Sequence, residues 1–323
     1  MSDKIDDILD FDKKSRVIKS FAVESWGGEI PCPLRLVVNP YVSCSHRCAY
    51  CYVWSGRPQA SKKFNFRESL KKDIERAKKF GATSQVIELS ASTDPFQEIE
   101  LVEKESLFAI RELLSGGFKV LIITKNPKLL LDPEYSDLLS NDQISIDVSI
   151  ASLREGTQDG SIFNYNGPSG ENKLETVAEI IKKGKEVRVR IDPVVPVVKG
   201  GHGQTSEELT SLVKLLSEIG VHLIISKTMR LSKDMPEYII KLFLDYYKEN
   251  GSLIGNHYAL SPRVRKEMLL PIYQACEQYG VKFCPCFDFD VFDKEKTYSC
   301  HVPNEPEIYI SDIMNSGTDG REG

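Results

Sequence analysis

Six short apolar runs recur along this chain, at residues 34–38, 86–89, 120–123, 144–150, 187–191 and 222–225. Between them lie longer stretches with helical spacing, at residues 67–80, 101–115, 128–139, 172–183 and 206–219. Four of these close at Gly81, Gly116, Gly184 and Gly220, and glycine readily takes the left-handed conformation that ends a helix. Two more helices are expected at residues 235–249 and 263–279. Strands that alternate with helices of about 10–15 residues build βα units around a parallel sheet. The fold class expected is therefore α/β.

In such a sheet, ligands sit beyond the C-terminal ends of the strands. The residues at those ends are the loop from Asn39 to Cys51, Ser90–Asp94, Thr124 and Lys125, Ser149–Ser152, Arg190–Asp192, and Ser226 with Lys227. Taken singly, each reads as turn chemistry or helix capping. Their common location makes them candidates for a site.

The chain has 323 residues, and 42 basic against 47 acidic side chains give a net charge of −5. No general field draws in nucleic acid, and basic runs such as residues 71–79 are interrupted by acids. The longest apolar runs, such as residues 120–123, fall far short of the ~20 residues needed to cross a bilayer. The first residues lack the apolar core of a signal peptide, so a cytoplasmic location is expected. Reducing conditions there turn attention from disulfides to metal for the eight cysteines.

Three of them, Cys44, Cys48 and Cys51, stand in C-x3-C-x2-C spacing. Three thiolates in one loop suit three irons of a cubane cluster, leaving a fourth iron open to a small chelator. Zinc with His46 as fourth ligand is the competing reading, and inert buried cysteines a third. The loop, with the aromatic Tyr50 before its last cysteine, resembles the signature of the radical S-adenosylmethionine (SAM) superfamily. Asn39-Pro40-Tyr41, Tyr52, the run Ser92–Gln97 and Ile122–Lys125 resemble its spore photoproduct lyase-related branch.

The resemblance implies a partial (β/α)6 radical SAM barrel, a [4Fe-4S] cluster and SAM as cofactors, and reductive cleavage of SAM to a 5′-deoxyadenosyl radical that abstracts hydrogen from a substrate. It further implies that Cys44, Cys48 and Cys51 ligate the cluster and that Tyr50 lies against the adenine. Ser92 and Asp94 would meet the SAM amino group, Lys125 its carboxylate and Ser149 the ribose. Arg190 or Asp192 would approach the cofactor from the fifth strand, and Tyr52 is a catalytic candidate. An electron donor such as ferredoxin or flavodoxin is implied as partner. The chain departs from the branch in having no cysteine between Ser90 and Asp94. Ser92 takes the place, and an O–H bond is too strong to replace a thiol as hydrogen-atom donor. A nucleic-acid repair lyase is thus the second reading, and a non-catalytic metal-binding protein the third.

Cys276, Cys284, Cys286 and Cys300 form a later group for a second Fe-S cluster, a zinc ion, core packing or a hydrogen donor. Cys32, between two prolines, reads as structural. The organisation expected is an N-terminal extension (residues 1–30), the barrel (31–230), a helical, cysteine-containing C-terminal extension (231–310) and a disordered tail (311–323).

Overall fold

The computed structural model describes residues 2–20, 32–53, 59–156 and 162–306. The tail expected to be disordered lies outside these residues. In chain order the elements are α1 (Ser2–Lys14), β1 (Ile18–Ser20), β2 (Leu36–Val38), β3 (Tyr41–Val42), β4 (Ser61–Lys62), α2 (Phe66–Lys79), β5 (Val86–Leu89), α3 (Glu100–Glu103), α4 (Glu105–Ser115), β6 (Lys119–Thr124), β7 (Ile144–Ser149), α5 (Gly170–Lys182), β8 (Arg188–Val194), α6 (Ser206–Glu218), β9 (Leu223–Thr228), β10 (Leu231–Ser232), α7 (Glu237–Asn250), β11 (Gly251–Ile254), β12 (His257–Leu260), α8 (Pro262–Tyr279) and β13 (Lys282–Pro285).

The main sheet runs β1-β2-β5-β6-β7-β8-β9-β13. β1 joins β2 antiparallel, and every pairing from β2 to β13 is parallel. The six strands expected from the sequence are the six from β2 to β9. β13 is a seventh, which the sequence reading missed because Lys282 to Pro285 is short, follows a helix directly and ends in proline.

The helices pack on one face of the sheet because their apolar residues recur every three or four positions. α2 buries Phe66, Leu70, Ile74 and Ala77, and α6 buries Leu209, Leu212, Val213 and Leu216. They meet strand residues such as Ile87, Val120, Ile122, Ile146, Val148 and Ile191 in one core. Burying each Leu or Ile contributes roughly 2 kcal/mol. Thr205 and Glu208 form a capping box that fixes where α6 begins.

The alternate strand residues face the other way, and several are charged: Arg35, Glu88, Asp147, Arg188, Arg190, Asp192 and Lys227. They pair with one another across the sheet. Residues near 300 close the end where the strands begin. There Arg35 pairs with Glu305 at 2.6 Å, and Lys119 donates to the Asn304 carbonyl at 2.5 Å.

Two expected helices differ. Residues 128–139 form two short 3-10 turns, Pro127–Leu131 and Ser136–Ser140. Pro133 is the reason, since a residue before proline is pushed out of helical conformation, and Asp132 is extended at ψ 138°. The helix expected over 101–115 is broken at Lys104, which adopts a left-handed φ of 52° between α3 and α4.

Candidate active site

The cysteine loop follows β2 and coils tightly because Ser43 and Arg47 take left-handed φ values of 66° and 50°. It is pinned from two sides. Gln97 accepts from the Ser45 amide at 2.8 Å and donates to the Ser43 carbonyl at 3.3 Å. From the other side, the Ala49 amide donates to Asn164 and the Asn166 amide to His46. The His46 ring is spanned by the protein, with Nδ1 2.6 Å from the Asn166 carbonyl and Nε2 3.5 Å from Asp94. Nδ1 is thus engaged, while Nε2 faces Asp94 without a hydrogen-bond partner.

Cys48 is buried, and Cys44 and Cys51 are half-buried. The three thiols lie within electrostatic reach of one another. Burial pushes Cys44 up to about 12 and raises Cys48 and Cys51 as well. Three bare thiolates would not persist in such a place, whereas metal ligation deprotonates thiols outright. The donor set, three thiols in one rigid loop with Lys125 lending positive charge to Cys48 and Cys51, fits a cluster.

Facing the loop is a buried network at the ends of β6 and β7. Glu155 accepts from the Tyr50 hydroxyl at 2.6 Å, from Lys125 at 3.2 Å, from the Ala151 amide at 3.1 Å, and from Lys173. Burial alone would raise Glu155, but Lys125 and Lys173 together hold it down at about 2. Burial lowers Lys173 to about 8, while Lys125 is raised because Glu155 and Cys48 outweigh its own burial. The Lys125 ammonium also lies 5.1 Å from the Tyr50 ring centre.

Neither Glu155 nor Lys173 was singled out from the sequence. Lys173 did leave a signal: it occupies the inward stripe of α5 with Val177 and Ile180, and is itself fully buried. Its ammonium donates to the Ser149 carbonyl at 2.8 Å.

Asp94 accepts from the Phe96 amide and Thr124 hydroxyl on one oxygen, both at 2.8 Å. Its other oxygen takes the Lys125 amide at 2.6 Å and faces His46. Burial would raise this carboxyl, but His46 and the backbone amides hold it below its ordinary range. Three protein donors thus bind the carboxylate, and the His46 ring lies beside its second oxygen. Asp94 thereby links the end of β5 to β6 and faces the cysteine loop through His46. Ser92 lies beside the loop, bonded through its hydroxyl to Asn39 at 2.9 Å.

The remaining predicted residues gather on the opposite side of the mouth. Arg190 bridges Asp147 at 3.2 Å and Asp192 at 3.4 Å, and Asp192 also meets Lys227 at 3.4 Å. Lys227 lies over the rings of Tyr52 and Phe287. Of the later cysteines, Cys276 packs in the helical core, whereas Cys284, Cys286 and Cys300 share a separate buried cluster.

The family model described as the radical SAM superfamily matches residues 38–216, more than half of the chain. Among curated proteins, uncharacterised proteins of Mycobacterium tuberculosis and Mycobacterium bovis are 24% identical over 209 residues. That alignment covers 58% of this chain and 58% of those relatives, so the chain spans little over half their length.

Among solved structures, a variant of spore photoproduct lyase superposes with a TM-score of 0.55 at 16% identity, covering 76% of this chain and 74% of that one. Streptococcus suis SuiB bound to SAM gives 0.54 at 14% identity, covering 83% and 54%. These likenesses are of fold. No described helix is long and apolar enough to cross a membrane. The chain belongs to the radical SAM superfamily, enzymes that work with a [4Fe-4S] cluster and S-adenosylmethionine.

Proposed function

We propose that Cys44, Cys48 and Cys51 hold the [4Fe-4S] cluster, and that SAM lies between this loop and the Tyr50–Lys125–Glu155 network. The observation that carries the reading is the pinned three-thiol loop facing a buried lysine whose counter-charge is shared. Glu155 is shared by two lysines, so the network is one positive charge in excess and suits a carboxylate at Lys125. When bound, cluster and SAM supply a 5′-deoxyadenosyl radical that takes hydrogen from a substrate.

The chain's own residues do the rest. Tyr50, fixed through Glu155, offers a ring beside the cofactor. Ser92 and Ser149 offer polar contacts from the ends of β5 and β7. Asp94 keeps the loop in register with β6. Across the mouth, Tyr52, Asp192, Arg190 and Lys227 face the space a substrate would enter, and the buried walls exclude water from the radical.

The reaction follows an electron supplied by a donor such as ferredoxin or flavodoxin, in the cytoplasm. A spore photoproduct-type lyase reaction is not favoured, because Ser92 stands where a thiol donor would be expected. In the test, anaerobically reconstituted protein under a strong reductant releases 5′-deoxyadenosine from SAM, and Cys44→Ala, Cys48→Ala and Cys51→Ala release none. A variant that cleaves SAM at the wild-type rate overturns the ligand assignment. Tight stoichiometric zinc without iron uptake overturns the whole reading.

A further inference from the structure

Three cysteines outside the first loop gather at the sheet's charged face, and a fourth, Cys32, packs in the main core beside them. Cys284 and Cys286 come from β13 and the turn after it, Cys300 from the segment that closes the strands' starting end, and Cys32 from the stretch before β2. All four are buried, and none forms a disulfide. Cys284, Cys286 and Cys300 share one cluster with Leu223 and Ile225, and the Cys284 and Cys300 thiols lie within electrostatic reach of each other. The Cys32 thiol lies within electrostatic reach of Cys286 and Cys300. Cys276 does not belong to this group.

Apolar packing alone does not account for what surrounds these thiols. Three buried guanidinium groups converge on them. Arg190 Nη2 is 3.5 Å from Cys286 Sγ. Arg35 and Arg188 donate to the Cys300 carbonyl at 2.7 and 3.0 Å. Arg188 is 6% exposed, and its Nη2 is buried without a hydrogen-bond partner although its other nitrogens bind Asp147 and two carbonyls. A buried donor left unsatisfied costs about 1–3 kcal/mol, so this atom marks the place of an acceptor.

A single ion is the wrong acceptor: among the described residues, no three His, Cys, Asp or Glu side chains are arranged to hold one. A cubane makes a different demand. Each thiolate takes its own iron, so Cys284 and Cys300 would part on binding, and the cluster's sulfides accept N–H hydrogen bonds. The thiolate-ligated cluster is also anionic, which suits a wall of arginines. We propose that Cys32, Cys284, Cys286 and Cys300 bind a second [4Fe-4S] cluster, with Arg188 Nη2 donating to one of its sulfurs.

The test separates this site from the first. Full-length protein carrying Cys44→Ala, Cys48→Ala and Cys51→Ala together is reconstituted anaerobically with iron and sulfide. It should retain about four irons and about four sulfides and give an electron-resonance signal on reduction. Adding Cys284→Ala and Cys286→Ala should remove both. Arg188→Lys in the triple background should shift the midpoint potential downward, because the hydrogen-bonding fork is lost.

An iron-free triple variant with wild-type circular dichroism overturns the proposal, as does zinc in place of iron, or iron that survives loss of Cys284 and Cys286. Should the triple variant not fold, the wild-type count decides: about eight irons supports the second cluster and about four overturns it. Neither result bears on SAM cleavage, which is read at the first loop alone.

Discussion

Replacing Glu155 with Gln tests whether the buried network is held together by charge rather than by shape. Glu155 sits at about 2 instead of its ordinary 4.5, and that difference favours its ionised form by roughly 3 kcal/mol. Lys173, also fully buried, sits at about 8 instead of 10.5, so keeping it charged costs about the same. Both shifts contain the same mutual attraction, so they do not add; burying Lys173 is tolerated because Glu155 faces it. Lys125 is the larger of the two attractions that keep Glu155 ionised, and Glu155 in turn holds the Lys125 proton more tightly than water does.

Glu155→Gln keeps the shape, deprives both lysines of their counter-ion, and should cost about 3–5 kcal/mol. Lys173→Met removes the costly ammonium and leaves Glu155 with Lys125, Tyr50 and the Ala151 amide, so it should change stability by no more than about 1 kcal/mol. The double variant should recover about 2 kcal/mol of the Glu155→Gln loss. Urea unfolding of metal-free protein at pH 7, followed by circular dichroism, reads all three. Because the folded carboxyl is the stronger acid, its contribution is complete above about pH 4.5. It fades as pH falls toward 2, and the gap between wild type and Glu155→Gln should close over that range. A Glu155→Gln protein within 1 kcal/mol of wild type at pH 7, or strictly additive single effects, would refute the reasoning.

Lys125→Met should raise the KM for SAM by about 10–100-fold, the size of a lost charge-assisted hydrogen bond, while kcat at saturating SAM changes much less; an unchanged KM removes Lys125 from the carboxylate site. Cys276→Ala should leave the iron content as it is and lower stability by about 1 kcal/mol, as measured by iron assay and unfolding midpoint, and a loss of iron would place this thiol among the ligands. Binding to duplex DNA should be weak and fall steeply with salt, since the net charge is −5. Nanomolar affinity at physiological salt in a fluorescence titration would reopen the nucleic-acid reading.

The strands of the barrel were legible because each is a compact β-branched run bounded by turns, and the cysteine loop because its donors are adjacent in sequence. What the sequence hid was assembled across distance. Glu155 reads as one charge in a polar loop until Lys125 and Lys173 are seen to meet on it. Cys32 lies more than 250 residues from Cys284, so spacing could not pair them, whereas Cys276 was grouped with its neighbours in sequence although helical phase turns it into the core. Local order also misled at residues 128–139, where apolar periodicity predicted a helix and one proline at 133 prevented it.

The segment that closes the strands' starting end imposes an order of events during synthesis. Arg35 leaves the ribosome among the first residues of the sheet, yet Glu305 and the Cys300 carbonyl that satisfy it follow about 270 residues later. Until they arrive, a guanidinium that is 5% exposed in the finished protein must remain in water. The first βα units can form as they emerge, but their inner face cannot dry out. At about 5–20 residues per second, the nascent chain holds an open, hydrated sheet for tens of seconds.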